Sequence, residues 1–146
     1  MYMSITLWVT TLWPPPLMAP PASAATASLI VALDRCAASR QERICDSALT
    51  VIEHLTLPNP ERQLLRGIAY FNKFVINEER FLEKPVSVIP PSDYTIERGY
   101  YMMQPAERQK LKELGKKSLD ALEQAPKGDV SKGILSSLRD APIEWE

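Results

Sequence analysis

Residues 58–82 read PNPERQLLRGIAYFNKFVINEERFL, and this stretch decides the fold. Pro58-Asn59-Pro60 is a punctuator: Pro60 suits the first helical position and Asn59 the cap before it. Leu64, Leu65, Ile68, Phe71, Phe74 and Val75 then recur at helical spacing and mark one buried face. The next breaker is Pro85, so the helix runs through Phe81 and Leu82. A helix with so continuous an apolar face needs other helices to cover it.

The flanking segments supply them. Upstream, Ile44, Ala48, Ile52 and Leu55 keep the 3.6-residue period in a helix from Glu42 to near Leu57, widened by Cys45, Leu49 and Val51. Before it, Leu29, Ile30, Leu33, Cys36 and Ala37 mark a short helix from Leu29 to Ala38. Downstream, PVSVIPP (Pro85 to Pro91) holds three prolines, which excludes helix and leaves a loop. A short fourth helix opens at Ser92 and Asp93 and carries Ile96, Tyr100 and Met103, with Gly99 in its interior. Pro105 starts a fifth, with Leu111, Leu114, Leu119 and Leu122 inward and Glu107, Lys110, Lys112, Glu113, Lys116 and Lys117 in water. Pro126 and Gly128 end it, and a last helix from Val130 to Arg139 offers Ile134, Leu135 and Leu138. No strand alternation appears, so the expected class is all-α, built from antiparallel helical hairpins with a proline-rich loop.

Cys36 and Cys45 stand nine positions apart. On one continuous helix they would be separated by about 13.5 Å, too far for a disulfide. A break at Ser39 to Gln41, with Ser39 capping a helix that opens at Glu42, would let the pair face each other across a hairpin. Ala32, Ala37, Ala38 and Ala48 are small enough for close approach. The alternative is two buried free thiols in a reducing compartment.

The first charged residue is Asp34, whereas the rest of the chain carries 17 Lys+Arg and 18 Asp+Glu. Ile5 to Trp13 is an apolar run of signal-peptide length, well short of the roughly 20 residues that span a bilayer. Pro14 to Pro16 stop it, and Pro20-Pro21-Ala22-Ser23-Ala24 presents a small-x-small cleavage pattern. Residues 1–24 therefore read as a signal peptide without a basic n-region, or else as an uncleaved proline-rich tail, and residues 25–146 as one helical domain. Export places that domain in the periplasm or outside the cell.

Arg66-Gly67-Ile68-Ala69-Tyr70 resembles the R-G-x-A-Y core of the first helix of tetratricopeptide repeats, and Ala121-Leu122-Glu123-Gln124-Ala125-Pro126 resembles the ending of the second. Gly67 and Pro126 are about one repeat further apart than a single repeat allows. Either a degenerate repeat lies between them, with Arg98-Gly99 echoing Arg66-Gly67, or the helical pair carries an insertion. Cys36, Cys45 with Ala48-Leu49, and RGIAY together resemble the N-terminal region of exported bacterial tetratricopeptide-like proteins. The resemblance implies a protein-binding scaffold without catalytic residues.

The net charge of -1 gives no basic excess for a phosphate backbone, so nucleic acid is not an expected partner. One His and two Cys are too few for the usual zinc sites; no metal or other cofactor is expected. His54 reads as a solvent-facing residue near a helix C-terminus. Glu78-Glu79, Glu83, Asp93 and Glu97 are the carboxylates that could bracket a substrate, and no nucleotide-binding, metalloprotease or nucleophile-elbow motif occurs. Tyr94, Tyr100, Tyr101, Met102 and Met103 form the candidate partner-binding group, since Tyr and Met favour adaptable interfaces; alternatively they fill the gap left by the proline loop. The expected function is a non-catalytic protein- or peptide-binding module of the cell envelope. A small hydrolase using Glu53 or the loop carboxylates is the alternative, as is a structural subunit of an envelope complex with an apolar patch near Tyr100 or Trp145.

Overall fold

The computed structural model of the protein describes residues 21–82 and 96–145. Residues 1–20, the proline-rich stretch Pro85–Pro91 and the start of the fourth helix at Ser92 lie outside them. The described residues form six helices and no strand: α1 Pro21–Ser39, α2 Glu42–His54, α3 Asn59–Leu82, α4 Ile96–Met102, α5 Pro105–Glu123 and α6 Asp129–Asp140. The all-α class is as expected, and no helix among the described residues is long and apolar enough to cross a membrane.

Helix α1 begins about two turns before Leu29. Its extra residues, PASAATAS, are Pro21 at the first position followed by Ala, Ser and Thr26, none of which carries a large apolar side chain to mark a period. The expected cleavage position after Ala24 falls within this helix. At its other end the turn differs from the sequence reading. Ser39 does not cap α2; its hydroxyl donates back to the Arg35 carbonyl at 2.7 Å. Arg40 instead takes the left-handed conformation at φ 56 that ends α1, and Gln41, extended, precedes α2. Arg40 is held there by the Ala37 carbonyl at 3.0 Å and by a forked ion pair with Glu79 at 2.8 and 3.1 Å. The fork offsets part of the strain of a non-glycine residue in that region.

With α1 and α2 folded back on each other, Cys36 and Cys45 meet at disulfide distance, Cα to Cα 5.7 Å and sulfur to sulfur 2.09 Å. Helix α2 stops at His54 rather than Leu57. The Arg62 guanidinium accounts for this end: it donates to the carbonyls of Ile52 and Leu55, two acceptors the helix leaves free. Asn59 is the first residue of α3 rather than its cap, and its side chain accepts from Gln63 at 3.2 Å. Pro105 opens α5 as expected, preceded by Gln104, whose N–H donates to the Glu107 carboxylate at 3.0 Å.

Helix α3 is the spine. On one side it runs parallel to α1, with Thr26 bonded to Glu61, the Leu33 carbonyl to Asn72 and Arg40 to Glu79. It runs antiparallel to α2, with Glu53 paired to Arg66, Asp46 to Lys73 and Glu42 to Arg80. Leu29, Leu33, Cys36, Cys45, Ala48, Ile52, Leu65, Ala69 and Ile76 form the core these three enclose. Its opposite side runs antiparallel to α5: Gly67 lies against Leu122 and Ser118, and Tyr70 against Lys117. Phe74, Leu111, Leu122, Ile134 and Leu138 anchor this second core, which α4 and α6 complete.

The α3 and α5 axes approach closely because Gly67 has no side chain. A Cβ there would stand 2.6 Å from Leu122 Cγ. Closeness also allows the buried Ser118 hydroxyl to donate to the Gly67 carbonyl at 2.7 Å, so that a fully buried polar group is satisfied.

Candidate functional site

The structure divides the five residues of the expected partner-binding group. Tyr94 lies outside the described residues. Tyr100 and Met103, three positions apart on one turn, point into the core and are 3% and 4% exposed. Tyr101 and Met102 point outward, Tyr101 being 86% exposed. As a surface, the candidate is therefore the pair Tyr101 and Met102, with Tyr100 and Met103 as the wedge that seats it. The i, i+3 spacing already puts Tyr100 and Met103 on one side of the turn.

Helix α4 has only seven residues, and such a turn is unstable alone. Three polar contacts tie it down. The Tyr100 hydroxyl donates to the Glu78 carboxylate of α3, and the Arg108 guanidinium of α5 donates to the carbonyls of Tyr100 at 3.3 Å and Met103 at 2.8 Å. Burial pushes the Tyr100 phenol well above its ordinary value, and the Glu78 hydrogen bond and charge push it further. Burial likewise raises Glu78; the Tyr100 hydrogen bond opposes that rise and the Glu79 charge adds to it.

The raised Glu78 fixes the sign of a pH effect. A carboxyl that holds its proton more tightly folded than unfolded costs nothing at low pH, where both states are protonated. Stability is lost as pH climbs from the ordinary carboxylate range through the raised folded value. Glu78→Gln keeps an acceptor for Tyr100 and removes the charge. Its melting temperature is expected to exceed the wild type's at about pH 7, with the gap closing towards about pH 4. Melts recorded across that range check it, and a gap independent of pH would refute it.

Among the carboxylates whose side chains are described, a set that leaves out Glu97, none converge. Glu78 and Glu79 turn to different partners, Tyr100 and Arg40. Glu53 is paired with Arg66. Glu83 and Asp93 lie outside the described residues. His54 is exposed, with Nδ1 2.8 Å from the Thr50 carbonyl of its own helix. Burial opposes the charge of Lys73, yet its hydrogen bond to Asp46 at 2.6 Å and the charges of Asp46 and Glu42 hold it above the usual lysine value. Among the described residues no three His, Cys, Asp or Glu side chains gather in a way that could hold a metal ion. A cavity of about 270 Å³ on α6, lined by Lys132, Leu135, Ser136, Arg139 and Asp140, brings one carboxylate to its wall and not two.

One feature had no signal in the sequence. The segment after α6 folds back so that Trp145 packs on Phe74, ring centroids 6.2 Å apart, and its indole N–H donates to the Leu138 carbonyl at 3.0 Å. The ring fills the space left by Gly115, where a Cβ would stand 2.3 Å from the indole. Trp145, named above as a possible patch residue, is half-buried in that cleft. Gly115 sits in a Lys-rich run that reads as a solvated face, and nothing local announces the ring opposite it. No protein-family model matches the chain, and neither does any curated protein or solved structure.

Proposed function

We propose that the chain is a non-catalytic, protein- or peptide-binding helical-repeat module of tetratricopeptide type, exported to the periplasm or beyond after loss of residues 1–24. The observation that carries this reading is the order of packing. Helix α1 packs on α2 and α3, α2 on α3, and α3 in turn on α5 and α6, which pack on each other. Each element thus meets chiefly its near neighbours along the chain, as in a stacked array of hairpins. On this reading α1 with α2 and α3 with α5 are successive hairpins, α6 closes the stack, and residues 83–104 are an insertion within the second hairpin. The meeting of Gly67 with Leu122 supports that choice, because the R-G-x-A-Y and A-L-E-Q-A-P segments pack directly on one another. Tyr101 and Met102, carried on the insertion and exposed, are the proposed contact for a partner protein.

A photo-crosslinking residue placed at position 101 tests this, compared with the same residue at position 51 on the exposed side of α2. In the native host, position 101 is expected to trap a defined partner that position 51 does not. With that partner purified, Tyr101→Ala together with Met102→Ala should weaken binding about tenfold. Equal trapping at both positions, or unchanged affinity in the double variant, would refute the assignment. An intact mass corresponding to residues 25–146 with two protons missing is the expected result for the leader and the thiols. A full-length mass would refute export.

A further inference from the structure

Residues 141–145 (APIEW) are not packed like the rest of the fold. Their exposure alternates: Ala141, Ile143 and Trp145 are partly buried, whereas Pro142 and Glu144 are exposed. All three inward residues pack on the α3–α5–α6 core. The segment leaves α6 in extended conformation, Ala141 having φ -68 and ψ 141. Among the described residues, the only backbone hydrogen bond within it runs from the Ile143 N–H to the Ala141 carbonyl at 2.7 Å. Attachment to α6 therefore rests on alternate side chains inserted into a helical surface, on the Ala141 N–H donated to the Leu138 carbonyl at 3.2 Å where the helix ends, and on one indole hydrogen bond to the same carbonyl. That is how an extended peptide ligand is held, with pockets reading every second residue.

The receiving surface is shaped for the aromatic ring. Phe74 forms one wall, the Leu138 carbonyl supplies the acceptor, and Gly115 leaves a floor that any larger residue would fill. A segment with so few hydrogen bonds belongs to the part of a structure that opens at low free energy.

We propose that the cleft of Phe74, Gly115 and Leu138 is a binding site for an extended peptide with an aliphatic residue two positions before an aromatic one, and that residues 141–145 occupy it in cis as an autoinhibitory stand-in. This deepens the binding-module reading and rests on it. A tethered occupant acts at an effective concentration of order millimolar, so a partner segment must bind more tightly than the chain's own tail, and release of the tail accompanies its arrival.

The test uses the full chain carrying Trp145→Ala and a fluorescein-labelled peptide of sequence DAPIEWE, residues 140–146, followed by anisotropy. The peptide is expected to bind this variant at least about tenfold more tightly than the wild type. A control peptide with its Trp replaced by Ala should not bind, and Gly115→Ala added to the variant should abolish binding by filling the floor. Failure of the peptide to bind a Trp145→Ala chain of unchanged far-ultraviolet dichroism, or equal binding of both peptides, overturns the proposal. Should that variant not fold, hydrogen exchange of the wild type decides. With peptide at about 1 mM, the Ile143 amide and the Trp145 indole N–H, the two hydrogen-bonded groups of the segment, are expected to exchange faster while α3 and α5 stay protected, and unchanged exchange of both overturns the proposal. Partner trapping at Tyr101 does not involve the cleft. A positive crosslink with a negative peptide result therefore removes only the cleft, whereas loss of the crosslink removes the Tyr101 contact and leaves the peptide result standing.

Discussion

Replacing Gly67 with alanine destabilises the protein by about 2 kcal/mol, whereas the same change at Gly133 stabilises it by about 1 kcal/mol. Both glycines lie inside helices, α3 and α6, so each gains the same intrinsic helix propensity on acquiring a methyl group. What differs is the space around them. At Gly133 nothing stands within 4 Å of the new Cβ. At Gly67 the new atom would meet Leu122 Cγ and Cδ2 at 2.6 Å, and Leu122 is fully buried. The Cγ is not the free end of a side chain, so a change of rotamer alone does not clear it, and α3 and α5 must separate. Separation also stretches the bond from Ser118 to the Gly67 carbonyl and loosens the second core throughout its length. Overpacking therefore outweighs the propensity gain. Thermal melts of the two variants against wild type check the opposite signs, and a Gly67→Ala protein as stable as wild type would show that the close approach of α3 and α5 is not required.

Much of this fold was legible because helices announce themselves by period and proline. The α3 stripe, the start of α2 at Glu42 and the start of α5 at Pro105 all follow from local chemistry. The beginning of α1 does not, since Ala and Ser favour helix without marking a face. The break at Ser39 to Gln41 was legible, but its geometry was not: the left-handed residue is Arg40, paired with Glu79 far along the chain, and no local rule places an arginine there. The candidate site was half legible. The spacing of Tyr100 and Met103 already implied a common direction, yet which pair of the four would face inward depended on Glu78 and Arg108 meeting α4 from two other helices. The Trp145 cleft could not be read at all, because a glycine in a charged run and a tryptophan in an irregular tail become one feature only after α5 and α6 have packed.

Removing the Cys36–Cys45 link lowers stability by about 2 to 3 kcal/mol, the chain-entropy value for so short a loop, and lowers the melting temperature by about 6 to 15 °C. Both cysteines are fully buried among Leu33, Ile52 and Leu65, so reduction and substitution are not equivalent. Reducing the wild type releases the loop constraint and retains the packing volume. The variant Cys36→Ala with Cys45→Ala also leaves a space, and is expected to melt lower still. The loss should be local at first. Helix α1 is the outer layer of the array, packed on α2 and α3, and the strained turn at Arg40 depends on α1 and α2 staying together. Hydrogen exchange under reducing conditions is expected to quicken in α1 before α3, with α5 and α6 unchanged until global unfolding. A melt unmoved by reduction would remove the staple from the account of stability. Uniform acceleration over all six helices would instead show that the two cores unfold as one unit, and α1 would then be integral to the spine rather than a layer laid upon it.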